Sequence, residues 1–355
     1  TASKALRVSA VIVPAGKAAV IVGTSAGSGT LSTATSGGAL TLENSATNDL
    51  TVNAVIADNA TPSALSKAGT GRLKLTAENT FSGATTIGDG LLVLANSNAL
   101  QNSTLALGPT PPVFDSAANS GVFTLGGLSG TTDLPLSDSA GNPFTLAAGK
   151  NNGSTTYGGT LSGRGALAKQ GTGTLTLNGT NSFTGGLTVS AGRVVANNPY
   201  ALGIGSIVNN GTIDLAFAPA TYTGLSTNMT GTGTVNVAVM IGQYNTGYYT
   251  YLNGDYSGFT GIWNIGPNGI GSGTAKVMMN GRDNAAATLY VKTNATLQSS
   301  LALRHSANLV LQGGSTGEAN GQIRLENNAE WAGPILLAAP MTNAAQGFIG
   351  SRSEE

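Results

Sequence analysis

"LAKQGTGTLTLNGTNSFTGGLTVSAGRVVANNPYAL" occupies residues 167–202, and "LSKAGTGRLKLTAENTFSGATTIGDGLLVLANSNAL" occupies residues 65–100. The two align without a gap at a spacing of 102 residues. Leu65, Lys67, Gly69, Gly71, Leu73, Leu75, Asn79, Phe81, Gly83 and Gly90 recur as Leu167, Lys169, Gly171, Gly173, Leu175, Leu177, Asn181, Phe183, Gly185 and Gly192. Repetition of this kind marks an architecture in which each unit buries its apolar face only against its neighbours. A weaker third echo, "GTGTVNV" at 231–237, resumes as "YSGFTGIWNI" at 256–265.

Each copy has the same mechanics. In "GRLKL" and "GTLTL" apolar and polar residues alternate, so Leu73 with Leu75, and Leu175 with Leu177, point to one side of a strand. The following "AENTFSG" and "GTNSFTG" hold Asn and Gly, which accept turn geometry, with a Phe expected to fold back into the core. A second strand, "ATTIG" or "LTVSA", leads through another turn to a third, "LLVL" or "VVA". Three short strands and three turns make one coil of a solenoid, and coils stacked about 4.8 Å apart hydrogen-bond to those above and below. The fold expected is therefore all-β: a parallel β-helix (β-solenoid), an elongated rod on the order of 60 Å long.

Composition agrees. Gly contributes 52 of 355 residues and charged residues only 9%, while hydrophobic residues reach 40%. Disordered chains pair low hydrophobicity with high charge, which is the opposite pattern. Sixteen basic residues balance sixteen acidic ones, so no net field draws the chain to nucleic acid or to an anionic membrane. The absence of cysteine removes disulfide, thiolate and cysteine–metal chemistry. The apolar stretch at 10–23 is broken by Pro14, Gly16 and Lys17, and reads as two strands at 11–13 and 20–22 rather than a membrane span.

The motif at 167–202 resembles the passenger-associated β-strand repeat of bacterial autotransporters. Leu167, Lys169, the run 171–173, Leu175, Leu177, Asn181, Phe183, Gly185, Thr188, Gly192 and the Asn198–Ala201–Leu202 ending carry the resemblance, and residues 65–100 share it. The resemblance implies a right-handed parallel β-helix, export to the extracellular bacterial surface by a signal peptide that the chain does not show, and a role in adhesion or display. The family's translocator barrel would need far more chain than the C-terminal stretch after residue 334, so a passenger fragment, a processed product or a surface protein that borrowed the repeat is expected.

One solenoid over 1–355 is expected, divided as an N-terminal cap with the first coils (1–64), the first repeat (65–108), an irregular Pro- and Asp-rich excursion (109–153), the second repeat (154–210), a degenerate third copy (211–290) and C-terminal coils (291–355). No catalytic residue, cofactor or metal is expected. Asp58, Asp89, Asp115, Asp133, Asp138, Asp214, Asp255 and Asp283 are scattered singly, as solvated turn residues are. His305 is the one histidine; it reads as a surface or turn residue, and no nucleophile elbow accompanies it. The Gly-rich run 266–276 lacks the Gly-Lys-Ser/Thr ending of a nucleotide loop.

Two features point to partners. Residues 243–263 hold five of nine tyrosines and interrupt the third repeat, which suggests a projecting loop or hairpin; either it packs on itself over one flank of the solenoid, or Tyr244, Tyr248, Tyr249, Tyr251, Tyr256 and Trp263 are the candidate contacts for a host or cell-surface glycan or protein. The second feature is the pair of solenoid ends. Val11, Val13, Val20 and Val22 at one end, and Ile335 and Leu337 at the other, belong to strands that either cap the solenoid or pair head to tail with another copy into a filament or sheath. An extracellular structural or adhesive protein, not an enzyme, is the expectation; the alternative is a β-helix that binds or cleaves polysaccharide.

Overall fold

The structure is a computed structural model that describes residues 4–216, 223–237, 250–266, 275–293, 295–312, 322–338 and 349–351. It is all-β, with parallel strands stacked as a β-solenoid of about 13 turns. Two compact units divide the chain, Thr1–Gly186 and Leu187–Glu355.

Three stacks of strands form the first turns of the N-terminal unit. One runs Ala5–Val8, Thr30–Thr33, Val55–Ala57, each parallel to the next. A second runs Ala10–Val13, Ala39–Asn44, Ala64–Ala68, Thr85–Ile87, Leu100–Leu107, Val122–Gly130. The third is Val20–Val22, Leu50–Val52, Arg72–Leu75, Leu91–Leu94, Val113–Phe114. Register is held by interior columns. Leu40, Leu65, Thr85, Leu105 and Leu128 lie one above another, all buried. Val52, Leu75, Leu94 and Phe114 do the same in the third stack. Because side chains alternate along a strand, a slip of one residue would expose a whole column, so the aliphatic pattern fixes the stacking.

Residues 109–153 are not an excursion. They carry Val113–Phe114, Val122–Gly130, Leu134–Pro135 and Thr145–Ala148, in register with turns before and after. The prolines at 111 and 112 fall between strands, where no ladder bond is needed. Phe114, Phe123 and Phe144 fill the interior of this region with ring centroids 4.5–4.9 Å apart. Pro111 and Pro112 are therefore turn punctuation, and Pro135 sits within a two-residue strand.

In the C-terminal unit two columns run through the stack Thr212–Leu215, Thr234–Val237, Ile262–Ile265, Thr288–Val291, Asn308–Leu311 and Ile335–Leu337. One is Ile213, Val235, Trp263, Leu289, Leu309, Ile335; the other is Leu215, Val237, Ile265, Val291, Leu311, Leu337. A further stack runs Thr223–Leu225, Thr250–Leu252, Ala275–Met279, Ala295–Ser299, Ile323–Leu325, Ile349–Ser351. The two halves of the degenerate third repeat are thus successive turns.

Close turn-to-turn approach explains the glycine content. A Cβ on Gly71 would stand 2.3 Å from the Ala46 carbonyl oxygen, and one on Gly173 would stand 2.2 Å from that of Gly153. Both repeat glycines are therefore fixed by the neighbouring backbone, not by their own dihedral angles.

Candidate functional site

The repeat places polar groups inside the solenoid. Lys67 occupies an interior column between Leu42 and Ile87, and all three are buried. Its stem packs as an aliphatic chain while Nζ donates to the carbonyls of Ala68, Gly69 and Asp89, the last from the following turn. Lys169 repeats this arrangement, donating to the carbonyls of Gln170 and Gly171. Burial pulls both ammonium groups below the usual lysine range. Asn79 and Asn181 are buried as well: Asn79 takes the N–H of Ile56 and donates to the carbonyl of Ala99, and Asn181 takes the N–H of Leu161. Each lies between strands, and its amide adds to the backbone bonds that Thr80 and Ser182 make to the carbonyls of Ile56 and Leu161. Phe81 and Phe183, two residues on, are buried. These repeat residues are committed to packing and cannot meet a partner.

The acids are committed too. Asp58 accepts from the backbone N–H of Ser63 and Ser82 and from the Ser82 hydroxyl. Asp115 faces Lys74 at 3.0 Å, which together with the Ala117 N–H lowers its carboxyl. Asp138 ties the loop 138–142, and the Asn119 amide above all holds its carboxyl down at about 2. Asp214 is fully buried, paired with Arg193 and hydrogen-bonded to Asn236, whose Oδ1 in turn accepts from Asn264 at 2.9 Å.

His305 is not at the surface, contrary to expectation. It is 1% exposed, with Nε2 2.9 Å from Ser299 Oγ, Nδ1 3.5 Å from Asp283 Oδ2, and the Trp331 ring stacked on it. Serine, histidine and aspartate follow one another in the order of a hydrolytic triad. Yet Ser299 is only 2% exposed, and the Asp283 carboxylate is occupied by the N–H groups of Ser306 and Ala307 and the Ser306 hydroxyl. Burial alone would raise the Asp283 carboxyl, but the His305 contact and these N–H bonds more than offset it and lower it. Ser299 and His305 are thus both buried, and the three residues tie together the strands and turns around them. Sequence spacing gave no sign of the grouping, because the three residues come from different strands and turns.

The Tyr-rich stretch divides differently from its expected role. Tyr244, Tyr248 and Tyr249 lie outside the described residues. Tyr256 and Trp263 are interior, which corrects their reading as partner contacts: Trp263 is a rung of an aliphatic column, and Tyr256 packs on it edge to face with centroids 5.1 Å apart. The Tyr256 hydroxyl donates to the Leu225 carbonyl at 2.7 Å, and burial raises its pKa. The described part of this stretch forms coil strands, not a projecting loop, and leaves Tyr251, half-buried on the outer face of Thr250–Leu252.

The candidate assembly residues are the end rungs of interior columns. Val11 and Val13 lie under Leu42 and Asn44, and Val20 and Val22 under Leu50 and Val52. At the other end Ile335 and Leu337 follow the buried Leu309 and Leu311 but are 38% and 47% exposed, and Leu336 between them is 59% exposed.

Comparison with known proteins bears on this architecture. Residues 65–94 and 167–196 match the passenger-associated-transport-repeat family. Over 251 residues the chain is 30% identical to the adhesin BmaC autotransporter of Brucella suis biovar 1 (strain 1330), a match covering 67% of this chain and 7% of that protein. The chain thus spans a small part of the length of this relative. Both findings agree with the resemblance carried by the repeat.

Proposed function

We propose that this segment of autotransporter-passenger type acts at the bacterial cell surface as a non-enzymatic adhesive scaffold. One observation carries the reading: the repeat's Lys, Asn, Phe and Gly residues are all used to stack turns, so the outer faces are what is left for contact with other surfaces. The similarity to an adhesin autotransporter supports adhesion as the purpose of that contact. The zero net charge and the low share of charged residues, 9%, suit a solvated scaffold. The burial of Ser299 and His305 and of the Asp283 side chain supports a non-enzymatic role.

The test is adherence. A non-adherent bacterium displaying residues 1–355 on its surface should bind host cells or extracellular matrix above an empty-display control, and soluble protein should compete. Adherence equal to the control would overturn the reading.

Finer roles are proposed on the same basis. Tyr251 is the tyrosine of the described Tyr-rich stretch that a glycan or protein could reach. The apolar ends at Val11, Val13, Val20 and Val22 and at Ile335 and Leu337 mate head to tail between copies, which a concentration series in negative-stain electron microscopy would reveal as fibres of uniform width.

A further inference from the structure

The two repeats end in the same turn. In the first, Asn96 Oδ1 accepts from the N–H of Asn98 at 2.8 Å, the Asn96 carbonyl accepts from Ala99, and the Asn98 carbonyl from Gln101. In the second, Asn198 Oδ1 accepts from the N–H of Tyr200 at 2.9 Å, the Asn198 carbonyl accepts from Ala201, and the Tyr200 carbonyl from Gly203. The anchors match too: Ala99 with Leu100, and Ala201 with Leu202, are buried. One rigid turn therefore presents a half-buried Asn98 in the first copy and a tyrosine in the second. Tyr200 is 59% exposed, and Ile204, just beyond the turn, is also 59% exposed.

Packing does not account for this tyrosine, because the first copy makes the same turn without it. Tyrosine offers a flat apolar ring with a polar edge and few rotamers to freeze, which suits recognition. The surroundings restrict what it can recognise. No charged residue occurs between 194 and 213, whereas the exposed Ser206 supplies a hydroxyl group. An acidic or basic partner would find no counter-charge there. A neutral polyol would find a ring to stack on and an uncharged hydroxyl group.

We infer that Tyr200 is the platform of a binding site for neutral glycans, on the turn that closes the second repeat. The inference deepens the adhesive reading and rests on it. The ring is largely exposed, so a single contact is weak, in the millimolar range, and adhesion would depend on many copies displayed together.

Saturation-transfer NMR on the intact chain tests it, with neutral oligosaccharides built on glucose, galactose, mannose and N-acetylglucosamine, and sialylated and sulfated ones as the contrasting arm. At least one neutral sugar should bind. Tyr200→Ala should weaken it by about tenfold or more, Tyr200→Trp should keep it, and an unchanged thermal midpoint would show that the fold is intact. Binding that survives Tyr200→Ala, a preference for the acidic sugars, or no binding to any neutral sugar would each overturn the inference. Adherence of the displayed wild-type chain separates the two readings. Adherence without neutral-sugar binding removes the glycan site and keeps the adhesive role; sugar binding without adherence does the reverse.

Discussion

The side-chain oxygen of Asn79 stands 2.8 Å from the backbone nitrogen of Ile56 and accepts its proton across 23 residues of sequence. On its other side the same amide donates to the Ala99 carbonyl at 2.9 Å, 20 residues ahead. One buried side chain thus links three turns. Replacing Asn79 with Ala leaves an N–H and a carbonyl without partners in a buried setting, each costing about 1–3 kcal/mol. Asn79→Ala should lose about 3 kcal/mol in urea denaturation, and Asn181→Ala should fall in the same direction. A loss below about 0.5 kcal/mol would mean that water takes over the bridge.

Lys67 makes stability depend on alkaline pH. Its folded pKa is lowered by burial, so between that value and the unfolded value of about 10.4 the unfolded chain binds more protons than the folded one. The Lys67 contribution therefore grows more favourable as pH rises through this window. Tyr157 and Tyr256 act oppositely: burial raises both, and their contribution is lost above the unfolded tyrosine value of about 10. Denaturation midpoints should rise toward about pH 10 and then fall. Lys67→Met should flatten the rise, and an unchanged slope in that variant would show that Lys67 does not titrate in this window.

Asp283 governs part of the acid limb. Its lowered carboxyl contributes stability that is present above the unfolded value of about 3.9 and is lost as pH falls through the folded value. Asp283→Asn should be less stable at neutral pH, because the N–H groups of Ser306 and Ala307 lose a charged acceptor, and less sensitive to acid below pH 4 or so. Parallel acid limbs for the two proteins would contradict this assignment.

Glycines should split into two classes. Gly173→Ala would bring a methyl group to 2.2 Å from the Gly153 carbonyl oxygen, a clash with backbone that only separation of the turns relieves. Gly141 has φ +83° and nothing within 4 Å of an added Cβ, so Gly141→Ala meets only the left-handed backbone cost of about 1–2 kcal/mol. Thermal melts should show Gly173→Ala as the more damaging of the two, by about 2 kcal/mol or more. Equal losses would mean that the turns part easily.

The sequence by itself determined the stacked parallel-strand architecture but not the coil: Arg72–Leu75 and Leu91–Leu94, expected in one coil, pair with each other and so belong to successive turns. A gapless repeat, period-two alternation in "GRLKL" and "GTLTL", and little charge leave few alternatives to stacked parallel strands, since such strands bury one side and pair with identical neighbours. It also placed Leu73, Leu75, Leu175, Leu177, Phe81 and Phe183 correctly in the interior. Tertiary structure alone decided what the polar and aromatic residues do. Lys67 and Asn79 look like surface residues until turns more than 20 residues away supply their carbonyl and N–H partners. Trp263 looks like a contact residue until Val235 and Leu289 enclose it, and His305 looks like a turn residue until Asp283, Ser299 and Trp331 surround it. The physical reason is common to all: alternation fixes which side of a strand a residue occupies, but the fate of a polar side chain depends on which backbone groups the next turns bring beside it.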